Sequence, residues 1–169
     1  MDVIAALKEA GFDRMIPVDA RQVDGLDHGT LLLALWFYEA EREPDMAGAW
    51  IHPYYFASQQ AYMAASRVAR TAQEAGVGLA LRDEVRVKPV FARLPGFTQG
   101  RNTLSYVEGA GSRFHVQILL LEDLLPEALS LEENRIPCTA ATAGPAWQPA
   151  PTMPLTRRAS TGRSASATG

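Results

Sequence analysis

Two runs of large apolar side chains constrain this chain more than any other feature. Residues 30–38 read TLLLALWFY and residues 113–121 read RFHVQILLL. Both fall far short of the roughly 20 residues that span a bilayer. An apolar run this short and this continuous reads as a strand covered on both faces. A buried helix competes for the first run, because Leu and Ala favour helix. Its shortness, and its place between a glycine loop and a charged segment, favour strand. Leu32, Leu33, Leu35, Val116, Ile118 and Leu120 are therefore expected among the least exposed residues.

The second run ends a longer organising stretch, residues 88–123. A short amphipathic piece at 89–94 starts with Pro89, which a first helical turn tolerates. A loop at 95–102 follows, hinged at Gly96 and Gly100. Then comes an expected hairpin: a strand at 103–107, a turn at 108–111 where Gly109 and Gly111 permit positive φ, and the strand at 113–121. Further upstream, Val3, Ile4 and Leu7 have helical spacing between an Asp2 cap and Gly11. A short extended run covers 15–18. Residues 19–29 read as a polar loop. Its Asp24, Asp27 and His28 match no metal-ligand spacing, so a solvated turn is the simpler reading. Residues 57–75 form the longest predicted helix, with Ser58 as cap, Gly76 as stop, and Ala61, Ala65, Val68, Ala72 and Ala75 on one face. Residues 79–90 suggest a strand with one solvated face.

The segment WIHPYYF at 50–56 holds four aromatics. Such a cluster lines a ligand site in some proteins and more commonly lids a core. A histidine such as His52 can serve as acid, base or ligand, but the sequence shows no second group to work with it. The formal net charge of −3 gives no electrostatic reason for tight nonspecific nucleic-acid binding. The first residues, MDVIAALKEAGFDR, lack a basic segment ahead of an apolar core, so no secretory signal is expected. Cys138 is the single cysteine, which excludes an intrachain disulfide. A cytoplasmic location is the default expectation.

The order of pieces in residues 87–123 resembles the epoxyqueuosine reductases. An apolar strand reaches a proline (Val87, Pro89), and a short helix carries an arginine (Arg93). A glycine-bounded loop (Gly96, Gly100) leads to Arg101, Asn102 and Thr103, and a glycine–serine turn (Gly111, Ser112) enters an apolar strand. The resemblance implies an α+β, nitroreductase-like fold with a mixed or antiparallel sheet. It implies a cobalamin-binding domain placed ahead of a domain with two four-iron (4Fe-4S) clusters, in an oxidoreductase that removes an epoxide oxygen from a modified tRNA base. By position it implies that Gly100, Arg101, Asn102, Thr103, Gly111 and Ser112 touch the cobalamin, glycine letting backbone approach a flat ring. One departure stands out. The family's proton-donating aspartate lies three residues before the proline matched by Pro89, and here that position is Arg86. A guanidinium donates no proton near neutral pH. Asp83 and Glu84 lie nearby, out of register.

From Pro137 the character changes to Ala, Thr, Pro, Ser, Arg and Gly without apolar periodicity. One reading is a disordered tail unable to bury enough surface to fold. The other is a frameshift. In the resembled family a cysteine-rich run begins here, and the chain starts one at Ile136, Pro137, Cys138 and Thr139 before it stops. Taking the third base of each codon with the first two of the next, Thr142-Ala143, Pro145-Ala146 and Pro149-Ala150 each permit Cys. Trp147-Gln148 must give Ala, and Ala150-Pro151 permits Pro. The shifted frame thus allows Cys-x-x-Cys-x-Ala-x-Cys-Pro, the later part of a bacterial cluster run.

These readings predict one α+β domain over residues 1–136 and a tail over 137–169. The sheet is expected from the runs at 30–38, 79–90, 103–107 and 113–121, with the 57–75 helix packed on it. Two functions follow. One is a truncated, cobalamin-binding, epoxyqueuosine-reductase-like domain, with modified tRNA as the family's partner and Cys138 as the sole thiolate left for a cluster. The other is a noncatalytic binding module without cofactor, using the aromatic cluster as a partner surface. One thiolate does not replace the four that a cluster needs. After anaerobic reconstitution the chain should therefore hold no iron and no acid-labile sulfide. A chain with the shifted frame restored should gain several iron atoms, and a colourless, iron-free product would end the frameshift reading.

Overall fold

The computed structural model describes residues 1–39 and 51–131, all within one compact unit, Met1–Ile136. The tail readings and Cys138 lie outside the described residues, as does Trp50. The fold is α+β, and every ladder between its strands is antiparallel.

Helix α1 (Val3–Glu9) starts as its sequence requires: the Asp2 carboxylate accepts from the Ala5 N–H at 3.0 Å, and Val3 and Leu7 turn inward. Strand β1 (Arg14–Asp19) includes Pro17, which lacks an N–H for a ladder. The proline is tolerated because β1 is an edge strand and Pro17 presents its carbonyl outward, to the Leu129 N–H at 2.8 Å. Strand β2 (Thr30–Phe37) pairs on one side with β1 and along its whole length with β6 (Phe114–Leu121). Strand β3 (Leu79–Leu81) completes the sheet in the order β1-β2-β6-β3.

Both faces of the central pair are covered, as the two apolar runs demand. On one face Leu32, Ala34, Leu119 and Leu121 pack against α1 and helix α2 (Pro53–Glu74). The buried helix residues Ala57, Ala61, Ala64, Ala65, Ala69 and Ala72 are small, so α2 can lie close to the sheet. On the other face Leu31, Leu33, Leu35, Ile118 and Leu120 pack against Val90, Phe91 and Leu94 from helix α3 (Val87–Phe91) and the turn after it. Of the six residues expected in the core, five are buried and Val116 is only partly so. The reason is topological. Strand β3 pairs only with Leu119–Leu121, so the β3-side edge of β6 is uncovered around Val116.

Three expectations need correction. The 103–107 run does not join the main sheet by a hairpin with β6. Strand β5 (Ser105–Val107) pairs with β4 (Phe97–Gln99), and a single bridge, Val107 to Gly111, links it toward β6. Hydrogen bonds from Gly100 N–H to the Leu104 carbonyl and from Thr103 N–H to the Gly100 carbonyl close the β4–β5 turn. Phe97 then stacks on Phe91 with centroids 4.6 Å apart. The 79–90 run is a strand only to Leu81. It then turns at Arg82–Val85, and its later apolar residues enter α3. Helix α2 begins before Ser58: His52 Nδ1 accepts from the Tyr54 N–H at 3.2 Å, and Pro53 takes the first position, where its fixed φ suits a helix start.

The junction before β2 fixes the register. At Gly29, φ is +86° and a Cβ would lie 2.2 Å from the Leu121 carbonyl oxygen, so only glycine fits. The next residue, Thr30, is fully buried. Its hydroxyl donates to the Asp123 carbonyl and accepts from the Leu125 N–H, both at 2.8 Å.

Leu119 is fully buried and Leu124 is half exposed. Leu119→Ala should cost about 3 kcal/mol and lower Tm by roughly 10 °C. Leu124→Ala should stay within about 0.5 kcal/mol of the parent. Urea midpoints and thermal melts of both variants check this.

Candidate functional site

The start of α2, the end of β2 and the turn into β6 enclose a cavity of about 690 Å³. Tyr38, His52, Tyr54 and Tyr55 line one side, and Leu104, Ser105, Ser112, Arg113 and Phe114 the other. The rings meet edge to face: Tyr38 to His52 at 6.2 Å, Tyr38 to Tyr54 at 6.1 Å, and Tyr54 to Tyr55 at 5.9 Å between centroids. Among the described residues no carboxylate lies on its wall. The Arg113 side chain makes no hydrogen bond or ion pair among the described residues. Burial pushes the Tyr38 phenol upward, and the neighbouring Tyr54 adds to that; Arg113 acts in the opposite direction.

Behind this wall runs a polar chain that the sequence reading missed. The Tyr54 hydroxyl lies 3.3 Å from His115 Nδ1, and the rings are 5.4 Å apart. The Gln117 amide Nε2 donates to His115 Nε2 at 2.8 Å. Gln117 is only 5% exposed, and its Oε1 has no partner among the described residues. Burial holds the His115 imidazole below its ordinary range, with Asp83 pulling the other way. The signal was present in RFHVQILLL. His115 and Gln117 alternate onto the α2-facing side of the strand with Leu119 and Leu121, and polar residues there need a partner.

His115 and Gln117 also border a second cavity of about 430 Å³, beside the uncovered edge of β6, with Tyr55, Gln59, Tyr62 and Asp83. A third, of about 490 Å³, lies between residues 22–26 and 84–93 and includes Arg86, Pro89 and Arg93. Arg93 is committed there to the Gln22 and Leu131 carbonyls at 3.2 and 3.3 Å.

The expected site residues divide. Ser112 lies on the aromatic cavity, next to Gly111. Gly111 has φ +69° and open space where a Cβ would stand. Gly100, Arg101, Asn102 and Thr103 form the β4–β5 turn just before the lining residues Leu104 and Ser105, and do not line the cavity themselves. At Gly100 a Cβ would lie 2.6 Å from Asn102 Oδ1 and 2.7 Å from the Tyr106 ring. Asn102 is held within the turn, donating to the Tyr106 hydroxyl at 3.1 Å and accepting from the Leu104 N–H at 3.2 Å. Thr103 has φ 63°, unusual for a β-branched residue. Among the described residues no group of three or more His, Cys, Asp or Glu is placed to hold a metal ion, and no helix is long and apolar enough to cross a membrane. No family model, curated protein or solved structure matches the chain.

The lowered imidazole has a stability consequence. An unfolded histidine titrates near 6.5, above the folded value, so the unfolded state binds the extra proton first. Stability tied to neutral His115 is present above the unfolded value and is lost as pH falls below about 6.5. The parent's urea midpoint should therefore drop between pH 7.5 and pH 5.5. His115→Gln should flatten that drop, and an equal drop in both proteins would count against the assignment.

Proposed function

We propose that this chain is a cobalamin-binding domain of epoxyqueuosine-reductase-like type, nitroreductase-like in fold, without an electron relay of its own. The supporting observation is that Ser112, one of the residues marked by the resemblance, lies on the wall of the aromatic cavity. The open backbone at Gly111 stands next to it. These residues suit a large flat ring: Gly111 and Ser112 at the rim, Ser105 as a second hydroxyl, and tyrosine rings opposite. A bound corrinoid would supply a redox-active cobalt there.

The four-iron clusters do not fit, because the whole chain carries one cysteine. The register of the missing acid also has a structural side. Arg86 borders the cavity with Pro89, away from the aromatic one, while Asp83 borders the cavity that holds His115 and Gln117. Within this proposal, modified tRNA is the partner and the cytoplasm the location, and the chain alone reduces no epoxyqueuosine.

The second reading, a noncatalytic interaction module, draws on exposed side chains along α2: Tyr55 at 67%, Met63 at 51% and Tyr62 at 50%.

A titration with cob(II)alamin separates the two. The cobalamin reading expects a saturable change in the visible spectrum, and Ser112→Trp should weaken it at least tenfold by filling the cavity. An unchanged spectrum at millimolar protein would leave the interaction module as the better reading.

A further inference from the structure

We propose that the aromatic cavity receives the ionised or carbonyl oxygen of a planar, conjugated ligand on the Tyr54 hydroxyl, with His115 and Gln117 setting the direction of that hydroxyl's proton and Arg113 supplying the opposing charge. The proposal uses the cavity of the preceding section but does not require that a corrinoid occupy it.

The direction of the proton follows from the hydrogen-bond chain. Gln117 donates to His115 Nε2, so that nitrogen carries no proton. Burial keeps the ring neutral, so its one proton sits on Nδ1 and points to the Tyr54 oxygen 3.3 Å away. The oxygen thus accepts from His115, and its own O–H is left to donate elsewhere. Tyr54 lines the cavity, so the cavity is where that donor can be used. A phenol that already accepts a hydrogen bond is a stronger donor, because the bonds in a chain polarise one another.

The ligand class follows from the walls. Edge-to-face tyrosines and Phe114 favour a flat, conjugated body. Among the described residues, an exposed arginine without an ion pair and a wall without carboxylates favour an anionic or electron-rich oxygen. The first turn of the 22-residue α2 contains no acidic residue to compete with such a ligand.

Two measurements test this. Nitrogen-15 NMR of the imidazoles should find His115 as the Nδ1–H tautomer at pH 7.5. The Nε2–H tautomer would reverse the chain, make Tyr54 a donor to His115, and overturn the proposal. The second measurement titrates the protein with 4-nitrophenol and follows the phenolate absorbance. The parent should bind and raise the ionised fraction. Tyr54→Phe, which keeps the ring and should keep Tm, should weaken binding about tenfold. Arg113→Gln should weaken it as well, and Tyr62→Phe, on the neighbouring cavity, should leave it unchanged. No binding by the parent, or parental affinity in Tyr54→Phe, would overturn the proposal. Nitrophenolate binding without cobalamin binding would sink only the cobalamin reading. The reverse would sink only this one.

Discussion

The pairing of β2 with β6 is the constraint that the rest of the molecule serves. Each strand is apolar over most of its length, so neither face of the pair can be left in water. Alanine-rich α2 closes one face, and α3 with the turn after it closes the other. Register matters as much as coverage, because a slip of one residue would exchange the two faces. Gly29 and Thr30 prevent that slip. The glycine lets the chain pass against the Leu121 carbonyl, and the threonine hydroxyl ties the start of β2 to the turn after β6.

The parts legible in the sequence were those with a strong local pattern. The two apolar runs gave β2 and β6, and Asp2 with its helical spacing gave α1. The alanine face at 61–72 identified α2 but missed its start, because Ser58 is a good cap residue while the true cap is His52 ahead of a proline. The 79–90 and 103–107 runs were misread for a different reason. Alternation shows that a segment is amphipathic but not which neighbour it meets. Val85 and Val87 also suit a turn entering α3, and Ser105–Val107 found its partner in β4, whose three residues are too few to show a pattern. Such assignments are settled by tertiary packing.

The candidate site was legible only in part. The glycine–serine turn pointed to a wall of the aromatic cavity, and the aromatic cluster before α2 pointed to the opposite wall. Nothing local indicated that they face each other, since they lie far apart along the chain. At Gly100 the space a Cβ would need is taken by Asn102 and Tyr106 of its own hairpin, so the β4–β5 turn itself calls for a glycine there. The polar pair His115 and Gln117 was hidden inside a run whose apolar neighbours dominated the reading.

The link between Thr30 and Asp123 spans 93 positions in the chain. On a ribosome the chain emerges at about 5–20 residues per second, so β2 leaves the exit several seconds before its partner β6. Throughout that interval its leucines have β1 on one side and nothing on the other. Loop closure over such a separation is also slow in an isolated chain. A nascent chain of this design therefore presents an unpaired apolar edge for seconds, which makes its synthesis, more than its finished state, the period of greatest exposure to aggregation.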